Sequence, residues 1–117
     1  MSSLSTTPDQ IHSLERHYTL FGPTDVIAYA LDEVPALYSL LEEAIEPLNR
    51  AFGDNTTLVL QGLQSEEDTV LRVIVRLPAN KANPEEMMHR FKRDWWYDNC
   101  ARSEASLAFD YDTSDGF

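Results

Sequence analysis

The hydrophobic pattern changes once near the end of the chain, from the period of a helix to that of a strand. Apolar residues first recur at helical spacing, at Met87, Met88, Phe91 and Trp95. They then alternate with small and polar residues over Leu107–Tyr111. We therefore predict a helix that is capped by Asn83, begins with Pro84 and runs to about Cys100, followed by a half-buried last strand.

A second stripe of helical period lies in the first half of the chain. Its members are Val34, Leu37, Leu41, Ala44, Ile45, Leu48 and Phe52. Pro47 removes a backbone hydrogen bond, so we expect it to kink or split this helix, and Gly53 is expected to end it with a left-handed cap. A proline and capping residues near Thr7 predict a short N-terminal helix to about Arg16.

The strands are predicted from β-prone runs and the turns between them. Thr57–Leu63 and Val70–Leu77 are joined by the loop Gln64–Asp68, which predicts a β-hairpin. Two runs compete for the first strand, Tyr18–Phe21 and Thr24–Leu31. The second run is apolar on both sides, which is typical of a central strand that is covered on both faces.

The order of these elements is strand, helix, strand, strand, helix, strand, and it favours an α+β fold of the ferredoxin-like βαββαβ type. The expected architecture is an antiparallel sheet with two helices on one face and a short extra N-terminal helix. A chain of 117 residues suits a single domain over 1–117. Its ends, 1–6 and 113–117, are expected to be flexible.

Composition and charge exclude several classes of protein. The chain has 20 acidic and 9 basic residues, a formal net charge of −11, which disfavours binding to nucleic acid or to an anionic membrane. Cys100 is the only cysteine, so no internal disulfide can form. No apolar run approaches the ~20 residues of a membrane span, and no secretory signal is visible. We expect a cytoplasmic protein.

Known catalytic and cofactor motifs are absent from the sequence. There is no zinc-ligand spacing, phosphate-binding glycine loop or nucleophile elbow. Asp110–Gly116 resembles the start of a calcium loop, but its glycine is one position late and no terminal glutamate follows. Cys100 falls at the end of a helix, where the partial negative charge disfavours a thiolate. We therefore expect no metal, no cofactor and no enzymatic activity.

One constellation could carry a function. Four cationic or titratable residues lie within five positions of this acidic chain: His89, Arg90, Lys92 and Arg93. Lys92 and Arg93 lie four and three positions before Trp96, so either cation could stack on the indole ring, and Tyr97 follows. The predicted interaction surface, for a protein partner or a second copy of the chain, therefore consists of Lys92, Arg93, Trp96 and Tyr97.

The same cations could instead be structural. Glu85 and Glu86 lie four positions before His89 and Arg90, an arrangement that favours ion pairs within the helix. Trp95 belongs to the apolar stripe and is expected in the core. Trp96 and Tyr97 cannot both join that stripe, so at least one is expected to expose an aromatic face.

Two blocks near the end of the chain carry a family resemblance. The sequence RFKRDWWYDN at 90–99, followed by LAFDY at 107–111, resembles the C-terminal end of small uncharacterised bacterial proteins of the cyanobacterial type. The resemblance implies no activity and assigns no functional residue.

Three functions fit these observations. The first is a non-enzymatic interaction or regulatory module that forms a homodimer, because sheet edges and an extra aromatic surface need cover. The second is an acidic binder of a basic partner, such as an immunity protein, an antitoxin or a nucleic-acid mimic. It requires one continuous patch made of Glu42, Glu43, Glu46 and residues 66–68. The third is a small ligand-binding domain or enzyme, with a pocket joining His89 or Cys100 to Tyr29 or Tyr111.

Overall fold

The computed structural model describes residues 6–53, 56–66, 68–77 and 83–113. The α-helices are α1 (Thr6–Leu14), α2 (Thr24–Glu33), α3 (Ala36–Glu43), α4 (Ile45–Phe52) and α5 (Pro84–Phe91). The strands are β1 (Thr19–Phe21), β2 (Thr57–Gln64), β3 (Thr69–Arg76) and β4 (Leu107–Asp112). A π-helix (Lys92–Trp96), α6 (Tyr97–Asn99) and a 3₁₀ turn (Cys100–Ser103) continue α5. Apart from Thr6 and Thr113, the ends that were predicted to be flexible lie outside the described residues.

The four strands form one mixed sheet in the order β1-β2-β3-β4. β2 and β3 form the predicted antiparallel hairpin, whereas β1 pairs with β2 and β4 pairs with β3 in parallel. The fold is therefore α+β, but the ferredoxin-like arrangement is wrong. A split βαβ unit keeps its two parallel strands apart, whereas each of these units places them side by side.

The first strand explains this difference. Thr24–Leu31, expected as a central strand, lies in α2, because Ile27, Ala30 and Leu31 recur at helical spacing and are buried. Their packing outweighs the β-propensity of the run. Only Thr19–Phe21 remains as the first strand, and three residues suit the edge of a sheet better than its centre.

The predicted helix over 34–52 is split as expected. α3 ends at Glu43 and α4 begins at Ile45, so Pro47 lies in the first turn of α4. Gly53 ends α4 as predicted, but its φ of 92° and ψ of 167° lie outside the left-handed helical region, so the predicted left-handed cap is wrong. At the start of α5, Asn83 has left-handed backbone angles and its side chain makes no capping hydrogen bond, so that predicted cap is wrong.

One hydrophobic core lies between the helices and a single face of the sheet. The sheet contributes Leu58, Leu60, Leu71, Val73, Val75, Leu107 and Phe109, which the strand register places on the same face. Buried apolar residues of α1 to α5 belong to the same cluster. Gly62 completes this face, because a Cβ there would lie only 2.8 Å from Cγ1 of Val26 on α2.

A buried hydrogen bond ties the start of β1 to the helices. Tyr18, 2% exposed, donates its hydroxyl proton to the Leu41 carbonyl oxygen at 2.6 Å. Burial, with a smaller contribution from the Glu42 carboxylate, raises the pKa of Tyr18 well above its usual value. The hydroxyl therefore remains a donor.

Within the described part of the chain, no helix has the length and apolar character needed to cross a membrane.

Candidate interaction surface

The predicted surface on the last helix is reorganised by the π-helix. The Tyr97 amide donates to the Lys92 carbonyl five residues earlier, where an α-helix would bond four residues back. The extra residue rotates the positions that follow it relative to an uninterrupted α-helix. Trp96 is thereby turned into the core and is only 8% exposed, whereas Trp95 is half-buried.

The ring contacts show that Trp96 is a packing residue. Its ring centroid lies 4.8 Å from that of Phe109 in an edge-to-face contact, and 5.9 Å from that of Trp95 in a stack. Phe91 reaches the same Phe109 ring, also at 4.8 Å. The prediction that Trp96 belongs to an exposed interaction surface is therefore wrong, and Trp95, expected deeper in the core, is the more accessible of the two.

The other predicted residues remain accessible. Arg93 is exposed, Lys92 is half-buried, and the Tyr97 side chain is 58% exposed. The expected pairing of Arg90 with Glu86 is not formed, and Arg90, Lys92 and Arg93 make no ion pair with any described residue. Lys92, Arg93 and Tyr97 therefore stay a predicted interaction surface.

The acidic groups on α3 and α4 are partly neutralised by arginines. Glu43 accepts two hydrogen bonds from Arg102, at 3.0 Å each, and these lower the pKa of the Glu43 carboxyl. Glu46 pairs with Arg50 at 3.4 Å, while Glu42 accepts the Ser13 hydroxyl at 3.2 Å. These arginines reduce the negative charge that a basic partner would meet on α3 and α4. The continuous acidic patch that an acidic binder of a basic partner requires stays a prediction.

Neither a metal site nor a catalytic thiol stands out. Searching the ranges that the structure describes finds no group of three or more His, Cys, Asp or Glu side chains placed to hold a metal ion. Cys100 is half-buried, and its thiol lies 3.7 Å from the Tyr97 carbonyl oxygen. A cavity of about 530 Å³ is lined by both His89 and Tyr111, so it joins one of the expected pairs. A smaller cavity of about 220 Å³ beside the hairpin loop contains Tyr29, but neither His89 nor Cys100 lines it. The ligand-binding domain or enzyme therefore stays a prediction.

The sheet has a second face, which the sequence did not predict as an interaction surface. The strand register places on it Thr19, Phe21, Thr57, Val59, Gln61, Leu63, Val70, Arg72, Ile74, Arg76, Ala108, Asp110 and Asp112. We call this set the open face. α2 contacts the core side of Gly62, and the π-helix contacts Phe109, which also faces the core. Both helices therefore lie on the side of the sheet opposite the open face.

The open face carries several apolar side chains, some of them accessible. Phe21 is 59% exposed and Leu63 is also exposed, while Val70 and Ile74 are half-buried. Val59 is only 8% exposed although it lies outside the core cluster, so its neighbours on this face cover it. A shallow cavity of about 570 Å³ lies over the centre of these strands, extending from Thr19 and Phe21 on β1 to Asp112 on β4.

The charges of the open face balance. Arg72 and Arg76 carry two positive charges, and Asp110 and Asp112 carry two negative ones. Their sum is zero, whereas the whole chain carries −11. Arg72 donates from Nη2 to Gln61 Oε1 at 3.4 Å, and its Nε is buried without a hydrogen-bond partner among the described residues.

A signal for this face was present in the sequence. Val70 and Ile74 share one side of β3 with Arg72 and Arg76, while Leu71 and Val73 lie on the other side, so β3 carries apolar residues on both sides. Such a strand lies either between two covered faces or beside one exposed apolar face, and the pattern alone does not distinguish them.

Comparisons with models of protein families, with curated proteins and with solved structures give no match to this chain.

Proposed function

We propose that this chain is a non-enzymatic interaction module and that it acts as a homodimer whose two copies pack open face against open face. The observation that carries the proposal is a face with several apolar side chains and no net charge on a strongly acidic protein. A sheet with one face on the core usually presents polar residues on the other, and here Phe21, Val59 and Ile74 take those positions.

Charge supports a second copy as the occupant. Two chains of −11 repel each other over most orientations, and this repulsion is weakest where the contacting faces have no net charge. A basic or acidic partner would find no net charge of the opposite sign on this face.

The size of the face is compatible with a dimer. β1, β2, β3 and β4 have three, eight, eight and six residues, so at ~3.3 Å per residue and ~4.8 Å between strands the open face has a projected area on the order of 400 Å². The relief of the side chains raises the accessible area towards the ~800 Å² per partner of a standard interface. Sheets that pack face to face bury alternate side chains in this way.

Sedimentation equilibrium tests the proposal. The wild-type chain is expected to sediment at twice its 13.3 kDa mass at micromolar concentrations and above. Leu63→Glu adds a charge to the open face, and it should shift the equilibrium to the monomer. Gln64→Glu, the matched control, adds the same charge one residue later, on the other side of the strand, and should leave the dimer intact. A wild-type monomer at all concentrations would refute the proposal.

A further inference from the structure

The strand register arranges the open face in rows that run across the sheet. One row consists of Phe21, Gln61, Arg72 and Ala108, and the next of Thr19, Val59, Ile74 and Asp110. Beyond these lie the pair Leu63 and Val70 at one end, and Thr57, Arg76 and Asp112 at the other. In any symmetric contact each row opposes one of these same rows from the other copy, so few arrangements are available.

A two-fold axis that runs across the strands creates mismatches. Two sheets can face each other only if the axis lies in the interface between them. If it crosses at the row of Arg72, that arginine opposes its own copy. If it crosses at the row of Ile74, Arg72 opposes Arg76 of the partner subunit. If it crosses midway between these two rows, Arg72 opposes Ile74 of the partner subunit. Each choice opposes like charges or places a charge on an apolar side chain.

An axis parallel to the strands avoids these contacts. If it lies between β2 and β3, each residue of β2 faces a residue of β3 from the other copy. That residue is the one with which it pairs inside its own sheet. Val59 then meets Ile74 of the partner subunit, and Leu63 meets the partner's Val70. Arg72 meets the partner's Gln61, so its charge opposes a polar amide and neither a like charge nor an apolar side chain.

We propose that the dimer has this arrangement, with the two-fold axis running along the strands between β2 and β3. The inference rests on the proposed dimer and adds its geometry. It makes one pair diagnostic. Thr19 and Asp110 lie on opposite edges of the sheet, about 14 Å apart within one chain, because three strand spacings separate them. Across the interface they oppose each other at the ~10 Å spacing of packed sheets.

Cross-linking between two single-cysteine proteins tests this geometry. Thr19→Cys and Asp110→Cys are each made with Cys100→Ser, since Cys100 is the only native cysteine. The two proteins are mixed, allowed to exchange subunits, and treated with a bismaleimide that spans about 10 Å. The mixture should give covalent heterodimers. Each protein alone should give little product, because its two cysteines lie about 17 Å apart across the dimer.

The outcomes separate this inference from the proposed function. Cross-linking within each single variant, without preference for the mixture, would overturn the axis and indicate one that runs across the strands. No cross-link in any sample, while sedimentation still shows dimers, would also overturn it and leave the proposed dimer in place. If the wild type sediments as a monomer, the proposed function itself fails.

Discussion

The ring of Trp96 meets that of Phe109 edge to face, with centroids 4.8 Å apart, and so joins the last helix to the last strand. Trp96 reaches this position because the π-helix adds one residue before it. Phe91 contacts the same ring from the preceding turn. This contact anchors the helical segment on the core side of the sheet and leaves the opposite face of β4 uncovered by it.

Trp96→Ala should therefore be strongly destabilising. The change leaves a large cavity against Phe109, and the free energy of unfolding should fall by about 3–5 kcal/mol. Trp95→Ala should cost less because that side chain is half-buried. Urea unfolding of both variants measures the difference. Equal losses, or a larger loss for Trp95→Ala, would mean that the π-helix does not set the register of the two indoles.

Gly62→Ala should destabilise the contact between β2 and α2. The new Cβ would lie 2.8 Å from Cγ1 of Val26 and 3.3 Å from Cγ1 of Ile27, so the helix must shift, at a cost of about 1–3 kcal/mol. Removing the nearer obstacle with Val26→Ala should recover part of this loss. The double-mutant cycle, measured by urea unfolding, should give a favourable coupling. Strict additivity would contradict this close approach.

The ion pair between Glu43 and Arg102 should make a pH-dependent contribution to stability. Arg102 lowers the pKa of the Glu43 carboxyl below its usual 4.5 in the folded state. The contribution is therefore present above that usual value and is lost as the pH falls through the lowered pKa. Both side chains are partly exposed, so the effect is small.

Urea midpoints measured at several pH values test this ion pair. Glu43→Gln should lower the midpoint slightly at pH 7, and the difference from wild type should disappear in acid. Glu42→Gln removes a neighbouring carboxylate whose described partner is the Ser13 hydroxyl, and it serves as the matched control. A difference for Glu43→Gln that persists unchanged below the lowered pKa would show that the ion pair is not its cause.

Local sequence signals predicted much of the fold, because they depend on local chemistry. The hairpin, the last strand, the break near Pro47 and the start of α5 at Pro84 all follow from turn, proline and periodicity rules. The strand pairing was missed because Thr24–Leu31 is rich in residues with high β-propensity. The run is helical because Ile27, Ala30 and Leu31 are buried in the core, and this packing involves residues distant in sequence.

The candidate site was harder to predict for two physical reasons. Helical spacing assigned Trp95 to the core and Trp96 to the surface, because a 3.6-residue period assumes that no residue is inserted. Nothing in the sequence marks the extra residue of the π-helix. The open face was missed because β3 carries apolar residues on both sides, and only the placement of the helices shows which side they cover.

The mass of two matched variants tests the role of the open face most directly. Phe21 and Tyr97 are aromatic side chains with nearly equal exposure, 59% and 58%, but Phe21 lies on the open face and Tyr97 on the predicted helix surface. By light scattering after gel filtration, Phe21→Ser should give a monomer of 13.3 kDa at a concentration where Tyr97→Ser and the wild type remain dimers of twice that mass. If Phe21→Ser remains dimeric while Tyr97→Ser dissociates, the dimer forms through the helix surface and the open face is not the interface.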